Sequence, residues 1–459
     1  MSTKLEFIAK EDWEDVALVE SFMTRVSLDK EFKEKVEKEP EKTLKEYNYP
    51  LTTADVSFKS VDCTAPLHME ACVPGSKAEK YANFMNKKFA YVDVIKDDCI
   101  PANKSMAKWR ERQIGRCAME LGARVARLVH ATFTVELSDG CSIGCEFCGL
   151  NAGRLKSVYR YTDENAELFR GVIQKAKEII GEGAGQGTMY FATEPLDNPD
   201  YELFLEDYLK CFDILPQITT AAAMRHKERL HKLLKQLNER NDKIYRFSIT
   251  SYEMYKEIIE EFTPEELALV ELLPQFEEAP NNQFVNAGRE ADKNDEYGDT
   301  ISCISGFVVN MCRKEVRLTT PTYACSKYPT GEIILDVANF ETAEDFANVI
   351  NGMISKHMKN IIGPKVGFKI RDKVCYDIKD NRLVISCEGG VEYKMETNAA
   401  TPIYGMILDE VSKGYITRRE IVAKLRNLDE CKGGRTDVLF YAINKLWTMG
   451  VLVAENGEI

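Results

Sequence analysis

The chain has 459 residues, of which 44% are hydrophobic and 29% charged, a composition typical of a globular protein with two or three domains. Its formal net charge of −13 argues against general nucleic-acid binding, which requires a basic surface. No apolar stretch approaches the length of a membrane span, and the charged N-terminus has no signal-peptide pattern. The fourteen cysteines lack the density of a disulfide scaffold, so we expect a cytoplasmic protein.

The N-terminal region, residues 1–131, is predicted to be helical. Apolar residues between Val16 and Val26 repeat with helical spacing, and Pro40 divides the charged segment that follows into two helices. A further long helix is predicted over residues 105–131, and we expect its arginines to face solvent or an acidic peptide. The region is therefore expected to be a helical extension of the next domain.

The central region, residues 132–362, alternates between strand and helix patterns. Strands are predicted over residues 132–138, 187–193, 217–223, 244–250, 283–286 and 316–320. Helices are predicted over residues 163–180, 201–211, 224–237 and 252–273. Repeated βα units indicate a parallel sheet, and six of them predict an α/β fold, a partial (β/α)6 barrel with its chemistry at the C-terminal strand ends. Residues 306–311 and 316–320 also have the pattern of a hairpin.

The C-terminal region, residues 363–459, has a different order of elements. Three short strands are predicted over residues 373–378, 382–387 and 391–396, and three helices over residues 404–413, 417–427 and 437–449. Thr417 is predicted to cap the second helix together with Glu420, three residues further on. We therefore expect a third, separate domain.

One short motif carries the chemistry. Cys141, Cys145 and Cys148 form a C-x3-C-x2-C run on the loop that follows the first predicted strand. Thiolates are soft ligands that bind iron–sulfur clusters or zinc. A structural zinc site requires four protein ligands, and this run provides three with no histidine beside it. The motif therefore favours an iron–sulfur cluster that lacks a fourth protein ligand, with zinc as the alternative.

The cysteine spacing resembles that of the radical S-adenosylmethionine (SAM) superfamily, in which the cysteines bind three irons of a 4Fe-4S cluster and the fourth iron chelates SAM. The resemblance implies that the backbone of Phe147 contacts the adenine. Glu194 ends a divergent form of the superfamily's GGE motif and is expected to bind the SAM amino group. Ser248 and Thr250 are expected to contact the ribose or the carboxylate, and Arg289 to pair with the methionyl carboxylate.

The remaining cysteines form no C-x2-C pair, so no auxiliary cluster is predicted, although a cluster on Cys303, Cys312 and Cys325 stays an alternative. Without an auxiliary cluster, a single thiol can donate a hydrogen atom to a peptide Cα radical. Cys325 follows the last predicted barrel strand and is the first candidate for this donor. Cys312 and Cys303 come next, followed by Cys375.

The whole arrangement resembles the proteusin-type radical SAM peptide epimerases, which convert L- to D-residues in ribosomally synthesised precursor peptides (RiPPs). The N-terminal helices resemble proteusin leader segments. The last 90 or so residues resemble the winged-helix, PqqD-like recognition element, in which a leader peptide adds a strand to the sheet edge. The family implies two partners, a leader-bearing precursor peptide and a flavodoxin- or ferredoxin-type reductant. A radical SAM peptide cross-linking or splicing enzyme is the alternative function, and a plain helical hairpin and a generic winged helix are the alternatives for the two ends.

Overall fold

The structure is a computed structural model that describes residues 6–56, 72–282, 284–291, 298–360, 362–379, 382–387, 392–395, 401–427 and 436–454. These residues form a mixed α/β fold of helices and several small sheets. Among them, no helix combines the length and the apolar character needed to cross a membrane.

The N-terminal region is helical as predicted, with α1 (Trp13–Leu28), α2 (Lys30–Lys38), α3 (Pro40–Glu46), α4 (Lys77–Asp98) and α5 (Lys104–Leu121). Pro40 begins α3, where its missing N–H costs nothing. The helix predicted over residues 105–131 is too long, because Gly122 takes a φ of 61° and ends α5. The solvent-facing prediction for its arginines is wrong for Arg110, Arg112 and Arg116, which are buried.

Within the described residues, the central region contains five α-helices and nine strands. The helices are α6 (Asp163–Ile180), α7 (Tyr201–Phe212), α8 (Lys227–Arg240), α9 (Tyr252–Glu261) and, after the last strand, α10 (Ala343–His357). The strands are β1 (Ala131–Glu136), β2 (Ser138–Asp139), β3 (Ser157–Val158), β4 (Thr219–Thr220), β5 (Tyr245–Ile249), β6 (Val270–Pro274), β7 (Ile304–Asn310), β8 (Glu315–Pro321) and β9 (Glu332–Asn339).

Two sheets organise this region. β4, β5 and β6 form a parallel sheet, and a second sheet has the order β1-β7-β8-β9, in which β1 and β7 are parallel and the other pairs antiparallel. Residues 187–191 lie beside β1, since the Val135 N–H donates to the Thr188 carbonyl at 3.0 Å. The Thr188 hydroxyl donates to the Tyr190 carbonyl at 2.5 Å, and such local bonds compete with a regular ladder.

The predicted six-stranded barrel needs correction in four places. The segment 187–193 is not a regular strand, and neither are residues 284–286, while residue 283 lies outside the described residues. The strand predicted over residues 316–320 exists as β8, but it runs antiparallel in a hairpin with β7, as the short turn between them requires. Part of the helix predicted over residues 252–273 is instead β6, because Pro264 disfavours helix at the residue before it and α9 ends at Glu261.

The second sheet has two distinct faces. Phe133 of β1 packs towards α10, where its ring centroid lies 6.3 Å from that of Phe346, and it belongs to the main core. On the opposite face, which we call the inner face, Glu136 and Asn310 are buried and hydrogen-bonded to each other at 3.2 Å. Polar residues in an otherwise apolar strand therefore mark the inner face.

The C-terminal region has its own core. Its elements are β10 (Gly367–Ile370), β11 (Val374–Lys379), β12 (Arg382–Cys387), β13 (Glu392–Met395), α11 (Thr401–Ser412), β14 (Ile416–Thr417), α12 (Arg418–Leu425), α13 (Thr436–Thr448) and β15 (Leu452–Ala454). The predicted order of three strands and three helices is present, and β11, β12 and β13 form an antiparallel sheet. Thr417 and Glu420 form the predicted capping box. The region packs on α5, where the Arg112 guanidinium lies 4.0 Å from the Trp447 ring centroid.

Candidate functional site

The three cysteines lie on one closed loop, residues 140–156, which we call the cysteine loop. The pairing of β2 with β3 closes its base. Within it, the Cys141 N–H donates to the Gly153 carbonyl at 2.9 Å, and the Leu155 N–H donates to the Cys141 carbonyl at 3.1 Å. Gly140 has a φ of 89°, and a Cβ there would lie 2.2 Å from the Arg154 carbonyl oxygen. The chain therefore turns tightly at Gly140, immediately before Cys141, in a conformation that requires glycine.

The three thiols are partly buried and influence one another. Burial, followed by the charges of the neighbouring Cys141 and Cys148, raises the pKa of Cys145 to about 11. Burial also raises the pKa of Cys141, opposed by the N–H groups of Ile143 and Gly144. The Ala152 N–H donates to the Cys148 sulfur at 3.4 Å.

This donor set fits an iron–sulfur cluster in its chemistry. Three sulfur ligands share one loop, and backbone N–H groups point at the sulfurs, as in the outer shell of cluster sites. In the ranges that the structure describes, no three Cys, His, Asp or Glu side chains already stand in a metal-binding arrangement.

Glu194 lies at the end of the segment that neighbours β1. Its carboxylate accepts hydrogen bonds from the Thr220 hydroxyl at 2.6 Å, the Ala221 N–H at 3.0 Å and the Leu196 N–H at 3.2 Å. Burial raises its pKa to about 7 despite these three donors. Asp197, three residues after Glu194, accepts from the Ser142 N–H of the cysteine loop at 2.8 Å, and the charge of Glu194 raises the pKa of Cys141. The interaction with a SAM amino group stays a prediction.

Arg289 holds the cysteine loop. Its two terminal nitrogens donate to the carbonyls of Cys145 and Ala152, and its own N–H donates to the Cys148 carbonyl at 3.0 Å. The preceding Gly288 has a φ of 64°, and a Cβ there would lie 2.2 Å from the Cys148 carbonyl oxygen. The pairing of Arg289 with a methionyl carboxylate stays a prediction. In the structure its guanidinium donates hydrogen bonds to two backbone carbonyls of the cysteine loop.

The other predicted SAM-contact residues lie in different surroundings. The ring of Phe147 stacks on Phe284, with centroids 5.4 Å apart. Ser248 and Thr250 lie at the C-terminal end of β5, as predicted, and the Thr250 hydroxyl contacts the Met254 sulfur at 3.5 Å. Their roles in ligand binding stay predictions.

Three of the four candidate thiol donors, Cys325, Cys312 and Cys303, lie at the two ends of the second sheet, and the fourth, Cys375, lies in β11 of the C-terminal region. Because β8 is antiparallel to β1, Cys325 follows the end of β8 that lies beside the start of β1, contrary to the position expected for a barrel strand. Its loop nevertheless returns towards the cysteine loop, since the Pro329 carbonyl accepts from the Gly288 N–H at 2.7 Å. Cys312 lies in the β7–β8 turn, with its sulfur 3.8 Å from the Ser157 carbonyl, and Cys303 precedes β7.

Several residues near the cysteine loop were not anticipated. The Ser142 N–H donates to Asp197 at 2.8 Å, and Arg225 donates to the Ser142 hydroxyl at 2.6 Å. Glu136 accepts from the Ala192 N–H at 2.9 Å and thereby orients the segment that leads to Glu194. A glutamate within the otherwise apolar and β-branched β1 was the available signal in the sequence.

Comparison with known proteins leaves the function open. No protein-family model matches the chain. Over 311 residues, 65% of this chain, it is 36% identical to "Uncharacterized protein y4wI" of Sinorhizobium fredii (strain NBRC 101917 / NGR234), of which it spans 61%. A crystal structure of BtrN in complex with AdoMet and 2-DOIA is similar over 40% of this chain and 71% of that chain, with 16% identity and a TM-score of 0.30. That similarity is too low to support an argument, so the function has to be inferred from the residues.

Proposed function

We propose that the protein is a radical SAM enzyme that epimerises residues of a ribosomally synthesised precursor peptide. The observation that carries this proposal is the cysteine loop, on which a C-x3-C-x2-C run directly follows the first strand of the central region. The buried Glu194 from the next βα unit, near Cys141, supports the same assignment. Cys141, Cys145 and Cys148 would hold the cluster, and Glu194 would bind SAM.

The C-terminal region supports a peptide as the substrate. Within the described residues, β13 pairs only with β12, so its other edge offers unpaired backbone groups to an extended peptide. On the third helix of this region, α13, the aromatic side chains of Tyr441 and Phe440 are 65% and 37% exposed and are available for contact with a peptide. A leader peptide could use both features.

The reaction proposed here leaves the composition of the peptide unchanged. With one electron from a flavodoxin- or ferredoxin-type donor, a bound cluster and SAM would supply a 5′-deoxyadenosyl radical, with release of methionine, and this radical would take a hydrogen atom from a peptide Cα. Cys325 would return a hydrogen atom to the opposite face, so that its S–H bond breaks while a C–H bond forms. A second electron from the same donor, with one proton, would then restore the thiol from its radical.

The test begins with anaerobic reconstitution of the full chain with iron and sulfide, followed by SAM and dithionite. Formation of 5′-deoxyadenosine is expected from the wild type and not from a Cys141→Ala, Cys145→Ala, Cys148→Ala variant. The matched control is Cys211→Ala, which removes a thiol far from the loop in sequence. Wild-type protein that makes no 5′-deoxyadenosine would exclude the radical SAM class.

Coexpression with a neighbouring precursor gene in D2O then tests the epimerase assignment. The expected product has an unchanged mass in H2O and carries one deuterium for each D-residue in D2O. Loss of two hydrogens or of a residue fragment would instead identify the alternative, a cross-linking or splicing enzyme.

A further inference from the structure

Arg317 of β8 lies on the inner face, at the end where the cysteine loop begins. In the sheet it pairs with Val308 of β7. Two residues further along β7, Asn310 pairs with Glu136 of β1 on one side and with Glu315 of β8 on the other. The Arg317 guanidinium carbon lies 5.3 Å from the centroid of the Phe191 ring, which belongs to the segment leading to Glu194. The side chain is 13% exposed, so it occupies the interior and not the surface.

The guanidinium has no hydrogen bond to any described residue, although it is largely buried. Its Nε is buried and donates no hydrogen bond within the described part of the chain. The nearest carboxylates are at ion-pair range only, with Glu136 Oε2 4.0 Å from Nη1 and Glu332 Oε1 3.5 Å from Nε. Both carboxylates are engaged elsewhere, Glu136 by Ala192 and Asn310 and Glu332 by the Thr319 hydroxyl at 2.6 Å. Buried N–H donors without acceptors are costly, which favours an external acceptor.

The charges around Arg317 select the kind of acceptor. Two carboxyl groups already face one guanidinium, so a third anion would add repulsion in a poorly hydrated environment. A neutral carbonyl oxygen can accept the free N–H bonds without that repulsion. A peptide backbone supplies such a carbonyl beside every Cα.

We propose that Arg317 binds a backbone carbonyl of the substrate peptide and so positions the peptide on the inner face. This inference rests on the proposed function for the identity of the substrate, but the binding group itself can be tested without any catalysis. Arg317 is then a residue that selects neutral peptide carbonyls over carboxylates.

The test uses the full chain labelled with 15N-arginine and observes the Nε–Hε resonances by NMR. The Arg317 resonance is assigned by its disappearance in Arg317→Lys, or in Arg317→Gln if the lysine variant does not fold. The probes are the capped dipeptide N-acetyl-alanine N-methylamide and sodium acetate. We expect the dipeptide to shift the Arg317 resonance in a saturable manner and acetate to do so at least about tenfold more weakly.

The matched control is Arg313, an arginine of the same hairpin that is already paired with Asp139 at 3.2 Å and Glu315 at 3.0 Å. Its resonance should not respond to the dipeptide. An equal or stronger response of Arg317 to acetate, no response to either probe, or an equal response of Arg313 would overturn the inference. This outcome does not depend on 5′-deoxyadenosine formation. If Arg317 responds to the dipeptide but the protein forms no 5′-deoxyadenosine, only the proposed function is excluded.

Discussion

Arg371 of the C-terminal region donates a hydrogen bond of 2.7 Å to Glu120 at the end of α5. The same carboxylate pairs with Arg116 and accepts from the Thr322 hydroxyl at 2.8 Å. Arg116 in turn donates to the Thr320 hydroxyl at 3.1 Å and to the Pro321 carbonyl. One largely buried carboxylate, 10% exposed, therefore joins the C-terminal region, the helical extension and the strand that leads to Cys325.

The first prediction concerns this carboxylate. Glu120→Gln should lower the free energy of unfolding by about 3 kcal/mol, because it leaves the buried guanidinium of Arg116 and the partly buried guanidinium of Arg371 without a countercharge. Urea denaturation followed by tryptophan fluorescence, with Trp447, which contacts α5, as one of the three reporters, measures the change. Glu39→Gln, at the exposed pair with Lys42, is the control and should leave the midpoint almost unchanged. Similar midpoints for both variants would contradict the prediction.

The second prediction concerns the hydrogen bonds from Arg289 to the cysteine loop. Arg289→Lys should increase transient opening of the loop by at least about tenfold, because one ammonium group cannot reach the carbonyls of Cys145 and Ala152 together. Faster proteolysis within residues 140–156 and lower iron retention after reconstitution are the measurements. Arg154→Lys changes an exposed arginine of the same loop and should match the wild type. If Arg289→Lys retains as much iron as the wild type, the hydrogen bonds of Arg289 do not stabilise the cysteine loop.

The third prediction ranks the candidate hydrogen donors. Cys325→Ala should abolish D-residue formation while 5′-deoxyadenosine is still produced, since the thiol acts after hydrogen abstraction. The variants Cys312→Ala, Cys303→Ala and Cys375→Ala are compared in the same coexpression assay, and Cys211→Ala, which removes a thiol that is not a candidate donor, provides the control. If Cys325→Ala retains epimerisation and another variant loses it, the donor is that other cysteine.

The fourth prediction concerns acid stability. His130 is buried, and burial together with Arg110, Arg116 and Lys96 lowers its pKa to about 3. Its Nδ1 lies 2.8 Å from the Ser305 hydroxyl, while its Nε2 has no partner among the described residues. The unfolded chain binds a proton near pH 6.5 and the folded chain does not, so stability is lost as the pH falls below 6.5 towards 3.

His130→Asn removes this titration while tolerating the backbone φ of 54°. Between pH 7 and pH 5 the variant should lose about 2 kcal/mol less unfolding free energy than the wild type, as measured by urea denaturation at each pH. Equal losses in the two proteins would show that His130 does not titrate differently on folding.

The sequence indicated the local elements well where its signals are local. The bounds of α6 were predicted correctly, since an apolar stripe and the Thr162 cap define it. The break before Pro40, the β7–β8 hairpin and the capping box of Thr417 and Glu420 were also predicted, each from residues close together in the chain. The cysteine loop belongs to the same class, because its three thiols lie within eight residues.

The roles of the long charged side chains depended on contacts between distant segments. Arg110, Arg116 and Arg289 bind backbone carbonyls supplied by other segments, including chain separations of 137 and 205 residues. Periodicity cannot predict these partners, because a long side chain can reach either solvent or a neighbouring element. The same holds for Arg317, whose free donors become evident only when the surrounding residues are known.

By itself, therefore, the sequence determined the helices, the hairpin and the position of three thiols at the end of the first strand. Only the tertiary structure decided that β8 runs antiparallel to β1, so that Cys325 leaves the sheet at the opposite end from the cysteine loop. Strand direction depends on which strands pair, and pairing between β1 and β7 joins residues that lie more than 170 positions apart. Spacing along the chain carries no information about such a pairing, whereas it fixes the neighbours within a loop or a helix.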